Sequence, residues 1–299
     1  MKRGLQDDGS LRIEPLRGMA VAPKVEGQPI ARVLVVDCET MGLDMERDEM
    51  IELAVLGVEV QGGRAVGVWQ VLRSWVFDPG EPIPETIERL TGISNATIAD
   101  EAVPLDNVRG EIDELFRSCD VAVAHRAEFD RTFVCRYAHR AADALWACSM
   151  ESIPWRDLGF ATKSLYALAL EHAFHYEAHR AGPDVLALTA LLSKPIDEDQ
   201  PDGPHYWSTL LDDAAQPVLH VAAAGSPFGA KDQLRAAGCR WDPLSKHWHL
   251  VVRVDEREKA IETLRPIVQQ HGGRIKIGEV PAEERYISGA GPSSWEVQR

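Results

Sequence analysis

The sequence is short of cysteine, of basic residues and of any long apolar run. Five cysteines (Cys38, Cys119, Cys135, Cys148, Cys239) are scattered over 299 residues without a Cys-x-x-Cys pair. That argues against a disulfide framework or a cysteine-built zinc centre and leaves buried, reduced thiols as the expectation. No stretch approaches the ~18 consecutive apolar residues of a spanning helix. Met1–Pro29 also lacks the apolar core of a secretory signal, so a soluble, unexported, cytoplasmic protein without membrane contact is expected. Lys and Arg number 32 against 47 Asp and Glu, for a formal net charge of −15. Binding nucleic acid through bulk positive charge alone is thereby disfavoured. An enzyme that meets phosphate through metal ions is not, because its metal-binding carboxylates are themselves negative.

What is present is a globular composition, 45% hydrophobic and 26% charged, at a length that suits two domains. Residues 1–29 show no sustained periodicity and read as a flexible tail. A mixed α/β domain is expected over 30–195. It opens with Val33–Val36, a β-branched-rich run suited to a strand buried on both faces. Strands over Met50–Val60 and Val66–Phe77 follow, with Gly62-Gly63 as the turn between them, so an antiparallel meander should open a mixed sheet. Helical patterns cover Pro84–Thr91, Val108–Ser118, Phe129–Ala142, Leu165–Ala173 and Pro183–Leu192, with a short strand at Val121–Ala124. Residues 196–216 are rich in Pro and Asp and read as a linker. A small α+β unit is expected over 217–278: strands at Val218–Ala222, His247–Val252 and Arg274–Ile277, helices at Ala230–Ala237 and Glu256–Gln270. Residues 279–299 read as a second tail. The span 217–278 holds ten Lys and Arg against six Asp and Glu, a net +4 that leaves −19 for the remainder.

Three short segments carry candidate chemistry. Asp37 and Glu39 end the first strand, and period-2 alternation puts both carboxylates on one face. Two like charges placed together are costly unless a cation joins them. His125-Arg126-Ala127-Glu128-Phe129-Asp130 lies where a strand meets a helix, with Asp130 in the first turn. His179-Arg180-Ala181-Gly182-Pro183-Asp184 puts Asp184 early in another helix, Pro183 suiting its first position. Each segment has an ordinary reading by itself: a solvated strand end, an acidic helix start, a structural histidine. His172 and His175 are read as structural.

Together the segments resemble the DEDD superfamily of 3′→5′ exonucleases, in the branch with a catalytic histidine. Asp37-Cys38-Glu39-Thr40-Met41-Gly42-Leu43 resembles its first motif, His125–Asp130 its second and His179–Asp184 its third. Arg180 stands where the tyrosine branch would carry Tyr. Ile83-Pro84, Leu90-Thr91-Gly92-Ile93 and Met150 resemble further family segments, and the likeness covers about residues 31–193. It implies a ribonuclease H-like mixed sheet flanked by helices. It also implies a nucleic-acid substrate with a free 3′ end, nucleoside 5′-monophosphate products, and two divalent ions, Mg²⁺ or Mn²⁺. Asp37, Glu39 and Asp184 would hold one ion; Asp37 would be shared with the second, which Asp130 reaches directly or through water. His179 would be the general base. Thr40, Met41, Leu43, Phe129 and Arg126 would grip the terminal nucleotide. The family often has Asn at the place of Arg126 and Thr at that of Met41, which leaves the choice of DNA or RNA open, DNA slightly favoured. Two alternatives stand beside the free-standing enzyme. One is a proofreading subunit docked to a polymerase or another replication or repair protein; the other is a catalytically silent nucleic-acid-binding adaptor.

Gly238-Cys239-Arg240-Trp241-Asp242, with Lys246 and Trp248, resembles a small uncharacterised module appended to primase-like and nuclease proteins. Arg240, Trp241 and Lys246 are the candidate accessory contacts to single strands. Trp248, in a strand, is read as a core residue, Trp241 reads equally as core or contact, and a protein-docking role for the module stands as the alternative.

Overall fold

Alternation and β-branching build the first sheet. The computed structural model describes residues 12–16, 18–243 and 245–298. A two-residue strand β1 (Glu14–Pro15) precedes three long strands, β2 (Ala31–Thr40), β3 (Met50–Gln61) and β4 (Arg64–Val76). Val33, Leu34, Val35 and Val36 have no exposed surface, because helices cover both faces of the sheet at β2. β3 pairs antiparallel with β2 and with β4. The β3–β4 turn is Gly62-Gly63, with φ of 57° and 75°, the left-handed geometry that a two-residue hairpin needs and glycine supplies.

Helices α1 (Glu85–Thr91), α2 (Asn95–Glu101) and α3 (Leu105–Ser118) lead to β5 (Val121–Ala124), α4 (Ala127–Tyr137) and β6 (Trp146–Cys148). β5 runs parallel to β2 and β6 parallel to β5, giving the order β4-β3-β2-β5-β6. The expected meander and mixed sheet are therefore present. α5 (Ser149–Ser152), α6 (Leu165–Glu171), β7 (Phe174–His175), α7 (Ala181–Leu192) and α8 (Tyr206–Ala214) complete the unit, which extends to Ala214. Val185, Leu188 and Leu192 of α7 share one core with Val33, Val35 and Ala54 of the sheet. Each such buried side chain contributes about 1.5–3 kcal/mol, which fixes the helix on β3 and on β2, the strand that carries Asp37 and Glu39 near its end.

Several expected boundaries move. The helix expected over Phe129–Ala142 starts at Ala127 and ends at Tyr137; the extended backbone of Ala138 then gives way to a 3₁₀ turn over His139–Ala142. Pro183 is the third helical residue of α7, not the first, a place where its missing N–H is still no loss. Of the segment expected as a flexible tail, residues 1–11 and 17 lie outside the described residues. Residues 12–29 are attached to the domain. β1 pairs with β7, and Leu16 and Met19 pack on the core. The Ala22 and Val25 amides donate to Ala65 O (2.7 Å) and to Gln61 Oε1 (2.7 Å). The attachment runs through a side-chain amide and single backbone bonds, which leave no periodic trace in sequence. The expected linker over 196–216 contains α8, whose Tyr206, Trp207 and Leu210 belong to the first core. The Pro- and Asp-rich run ahead of it hides that amphipathic turn.

The second unit begins at Ala215. It holds β8 (Val218–Ala224), α9 (Lys231–Ala236), β9 (Arg240–Asp242), β10 (His247–Arg253), α10 (Arg257–His271), β11 (Arg274–Val280) and β12 (Glu296–Val297). The order is β12-β11-β8-β10-β9, all pairs antiparallel. Leu234 of α9 and Ile261, Leu264 and Val268 of α10 cover Val221, Ile275 and Ile277 on one face. The segment expected as a C-terminal tail, 279–299, completes β11 and supplies β12, apart from residue 299, which lies outside the described residues. The expected thiols are free, with Cys38, Cys148 and Cys239 buried. Among the described residues no helix is long and apolar enough to cross a membrane.

Candidate active site

The site forms where the end of β2 meets the first turn of α7. Asp37 and Glu39 project from one face of β2, just before the irregularity between Glu39 and Thr40. Asp184 is the fourth residue of α7. One carboxylate oxygen of each lies within 4.8 Å of the other two. Burial, followed by the charges of Asp130, Asp184, Glu39 and Glu52, pushes the Asp37 carboxyl well above its ordinary range. Burial, with Asp184, Glu52 and Asp130, pushes Glu39 up to about 8 against the pull of Arg180. Asp184 is also raised by burial, although three hydrogen bonds oppose the shift. Such a cluster is poorly stabilised by its own surroundings, and a divalent cation bound by hard oxygen ligands relieves both the repulsion and the desolvation. The donor set therefore fits Mg²⁺ or Mn²⁺.

Asp130 stands beside this cluster rather than in it. It lies in the first turn of α4, buried, and its Oδ1 accepts from the Cys38 N–H (3.2 Å) and Sγ–H (3.4 Å). Burial pushes it up to about 7 against those bonds, and its charge acts on Asp37.

Asp184 is held on both oxygens. Tyr176 Oη donates to Oδ1 (2.7 Å), and the backbone amides of His179 and Arg180 donate to Oδ2 (2.9 and 3.2 Å). His179 is exposed and takes a φ of 66°, a conformation with a strain cost for a non-glycine residue that His tolerates better than most. His125, which opens the second motif, has a different place. It is buried between Ser149 Oγ, 2.7 Å from Nδ1, and Lys163 O, 2.6 Å from Nε2. The carbonyl can only accept, so Nε2 carries a proton, and the Ser149 hydroxyl can donate to Nδ1 of a neutral ring. Burial lowers its pKa to about 4.

Two supporting residues escaped the sequence reading. Glu52, nearly fully buried on β3 opposite Glu39, accepts from Arg180 Nε (3.1 Å) and Nη2 (3.0 Å). It also accepts from Ala181 N–H (3.0 Å) and Ser74 Oγ (2.9 Å). A lone charge inside the apolar run Met50-Ile51-Glu52-Leu53 was its signal. Tyr176 had none.

The expected nucleotide contacts divide. Leu43 is 75% exposed. Phe129 is half-buried, its ring tilted by 53° against Phe133 at 4.8 Å, with Arg126 5.1 Å from its ring centroid. Thr40 is buried and spends its hydroxyl on Gly42 O. Met41 packs with Ile51, Ile83 and Ile93, so most of its side chain is spent on core contacts; a long apolar side chain after the bulge finds the cluster beneath α1 and α2. In the second unit Arg240, Trp241 and Lys246 are all exposed, and Trp248 packs on the core as expected.

Comparisons with known proteins agree with this architecture. The exonuclease family model (RNase T) matches residues 34–192. The DNA polymerase III subunit epsilon of Aquifex aeolicus is 36% identical over 104 residues, 35% of this chain and 48% of that one. The 3′-5′ exonuclease DinG of Bacillus subtilis is 32% identical over 161 residues, 51% of this chain and 16% of that one. The chain thus spans about half of the first relative's length and about a sixth of the second's. Among solved structures, E. coli exonuclease I in complex with single-stranded DNA and zinc superposes with a TM-score of 0.52 at 12% identity, covering 88% of this chain and 74% of that one. Exonuclease I of Methylocaldum szegediense gives 0.50 at 16% identity, with 81% and 69% covered. At such identities the likeness is one of fold, a ribonuclease H-like mixed sheet. The family model takes in more than half of the residues, from the strand that carries Asp37 and Glu39 to the helix that carries Asp184, and the chain belongs to the exonuclease family.

Proposed function

We propose that the protein is a metal-dependent 3′→5′ exonuclease that releases nucleoside 5′-monophosphates, with DNA slightly preferred over RNA. The observation that carries this reading is the convergence of the Asp37, Glu39 and Asp184 oxygens within 4.8 Å of one another, with Asp130 beside them and His179 tied to Asp184. Asp37, Glu39 and Asp184 would hold one ion; Asp37 would be shared with a second, reached by Asp130 directly or through water. Bound divalent ions neutralise the phosphate and lower the pKa of the attacking water. His179 is the proton acceptor in this reading: a neutral imidazole can take a proton from water near neutral pH. Attack at phosphorus with departure of the 3′ oxygen leaves the phosphate on the 5′ side of the released nucleotide. Phe129, with Arg126 over its ring, offers a face to the terminal base, and the exposed Leu43 offers an apolar edge.

The likeness to a polymerase III epsilon subunit favours a second reading, in which the same activity works beside a DNA polymerase; co-purification with a polymerase would distinguish it. The first reading is tested with 5′-labelled single-stranded DNA and RNA of one sequence, with Mg²⁺ or Mn²⁺ and a chelator control. The expected result is a metal-dependent ladder that shortens by single nucleotides, faster on DNA. Intact strands in every condition, with protein that binds the metal, would count against it.

A further inference from the structure

The second unit presents a row of aromatic rings and cations that the carboxylate site does not use. Phe228, in the 3₁₀ turn leading into α9, is 84% exposed, with Lys231 Nζ 5.1 Å from its ring centroid. Lys231 and Arg235 stand four residues apart and share a face of α9. The Arg235 guanidinium lies 5.5 Å from the Trp248 ring centroid. Trp248 meets Trp241 at 5.6 Å, the two being directly paired across β9 and β10. Trp248 is anchored in the core, whereas Trp241 is 48% exposed. The row thus runs Phe228, Lys231, Arg235, Trp248, Trp241.

Core packing accounts for Trp248 but not for Phe228 or Trp241, whose surfaces face water. A purely apolar partner would desolvate Lys231 and Arg235 without an anion to receive them. A single nucleic-acid strand satisfies both kinds of group, because unpaired bases stack on rings and phosphates meet the cations. A duplex does not, since its base faces are already stacked. Charge points the same way: residues 215–299 carry twelve Lys and Arg against ten Asp and Glu in a chain of net charge −15, so this unit does not share the negative charge that repels a polyanion from the remainder. We propose that this row is a sequence-tolerant binding site for single-stranded nucleic acid, carried by the second unit and independent of whether the first unit cleaves the strand.

The test uses the full chain in a chelator, so that no hydrolysis contributes, with the fluorescence anisotropy of a 5′-labelled oligothymidylate read across a salt series. Phe228→Ala and Trp241→Ala remove exposed rings, and their thermal melts should match that of the parent. Each should weaken binding roughly fivefold or more. Lys231→Ala and Arg235→Ala should each lower the slope of log affinity against log salt by about 0.7, and Trp241→Phe should retain most of the affinity. A blunt duplex of the same length should bind more weakly than the single strand. Equal affinity for strand and duplex, or unchanged affinity in both ring variants, overturns the proposal. Because the readout is binding without metal, failure of the exonuclease reading would leave the outcome unaffected.

Discussion

The backbone amide of His179 donates to Asp184 Oδ2 at 2.9 Å, so the candidate base and a candidate metal ligand are parts of one tight loop. The left-handed φ of 66° at His179 is the conformation in which its amide turns back to Asp184 while its side chain stays exposed. The position of the imidazole thus follows from the carboxylate that its own backbone grips.

His179→Ala should therefore leave the melting curve close to that of the parent while turnover falls by about 10²–10⁴. A His179→Gly variant relieves the positive φ without restoring a base, and should be at least as stable and equally slow. Turnover and thermal melts of the two variants check this. Near-parental turnover in either removes the base assignment.

Glu52 should matter more for stability than its distance from any substrate suggests. Glu52→Ala strands the Arg180 guanidinium and the Ala181 amide, which the carboxylate receives at 3.0–3.1 Å. The expected cost is about 2–4 kcal/mol, since a partly buried cation and a buried N–H lose their acceptor. Glu52→Gln keeps one acceptor oxygen and should lose less. Urea unfolding of the two variants checks the order; equal, small losses would show that the pair does not hold the start of α7.

Metal should stabilise the fold. With Mn²⁺ at about 100 times its Kd the gain is about 2.7 kcal/mol, worth several degrees in the melting temperature. Asp37→Asn removes one of three crowded carboxylates, so the metal-free protein should melt slightly higher than the parent and the Mn²⁺-induced rise should shrink or vanish. Calorimetry with and without a chelator measures both effects. An undiminished rise in the variant would place the ion elsewhere.

His125 sets a pH dependence of stability. Burial holds its folded pKa at about 4, below the reference value of 6.5. Between those values the unfolded chain binds the extra proton, so this contribution is complete above about pH 6.5 and is lost as pH falls towards 4. The loss is of the order of a few kcal/mol. His125→Gln, weaker at neutral pH, should show a flatter fall over that window. Urea midpoints measured from pH 7 to pH 4.5 test this, and parallel curves would show that His125 does not titrate on unfolding.

Much of this arrangement is legible in the residues themselves. The buried run Val33–Val36 and the Gly62-Gly63 turn set the sheet, and the period of two in Asp37-Cys38-Glu39 puts both carboxylates on one face. Motif order brings Asp130 and Asp184 to that strand end. What is hidden depends on contacts distant in sequence. Glu52 acts on Arg180 across 128 residues, and Gln61 secures the segment around Val25 across 36. Met41 has the exposure of a core residue because the pocket formed by Ile51, Ile83 and Ile93 exists only after folding. α8 is concealed by the Pro- and Asp-rich run that precedes it, although Tyr206, Trp207 and Leu210 already carry its apolar face.

The most direct test of the central claim is to follow a single-stranded oligonucleotide labelled in its 3′-terminal nucleotide, with Mg²⁺, and identify the first labelled product. The account predicts a nucleoside 5′-monophosphate from the earliest time points, its release abolished by chelator and by Glu39→Gln. Labelled fragments of several nucleotides appearing first, or release that persists without metal, would contradict it.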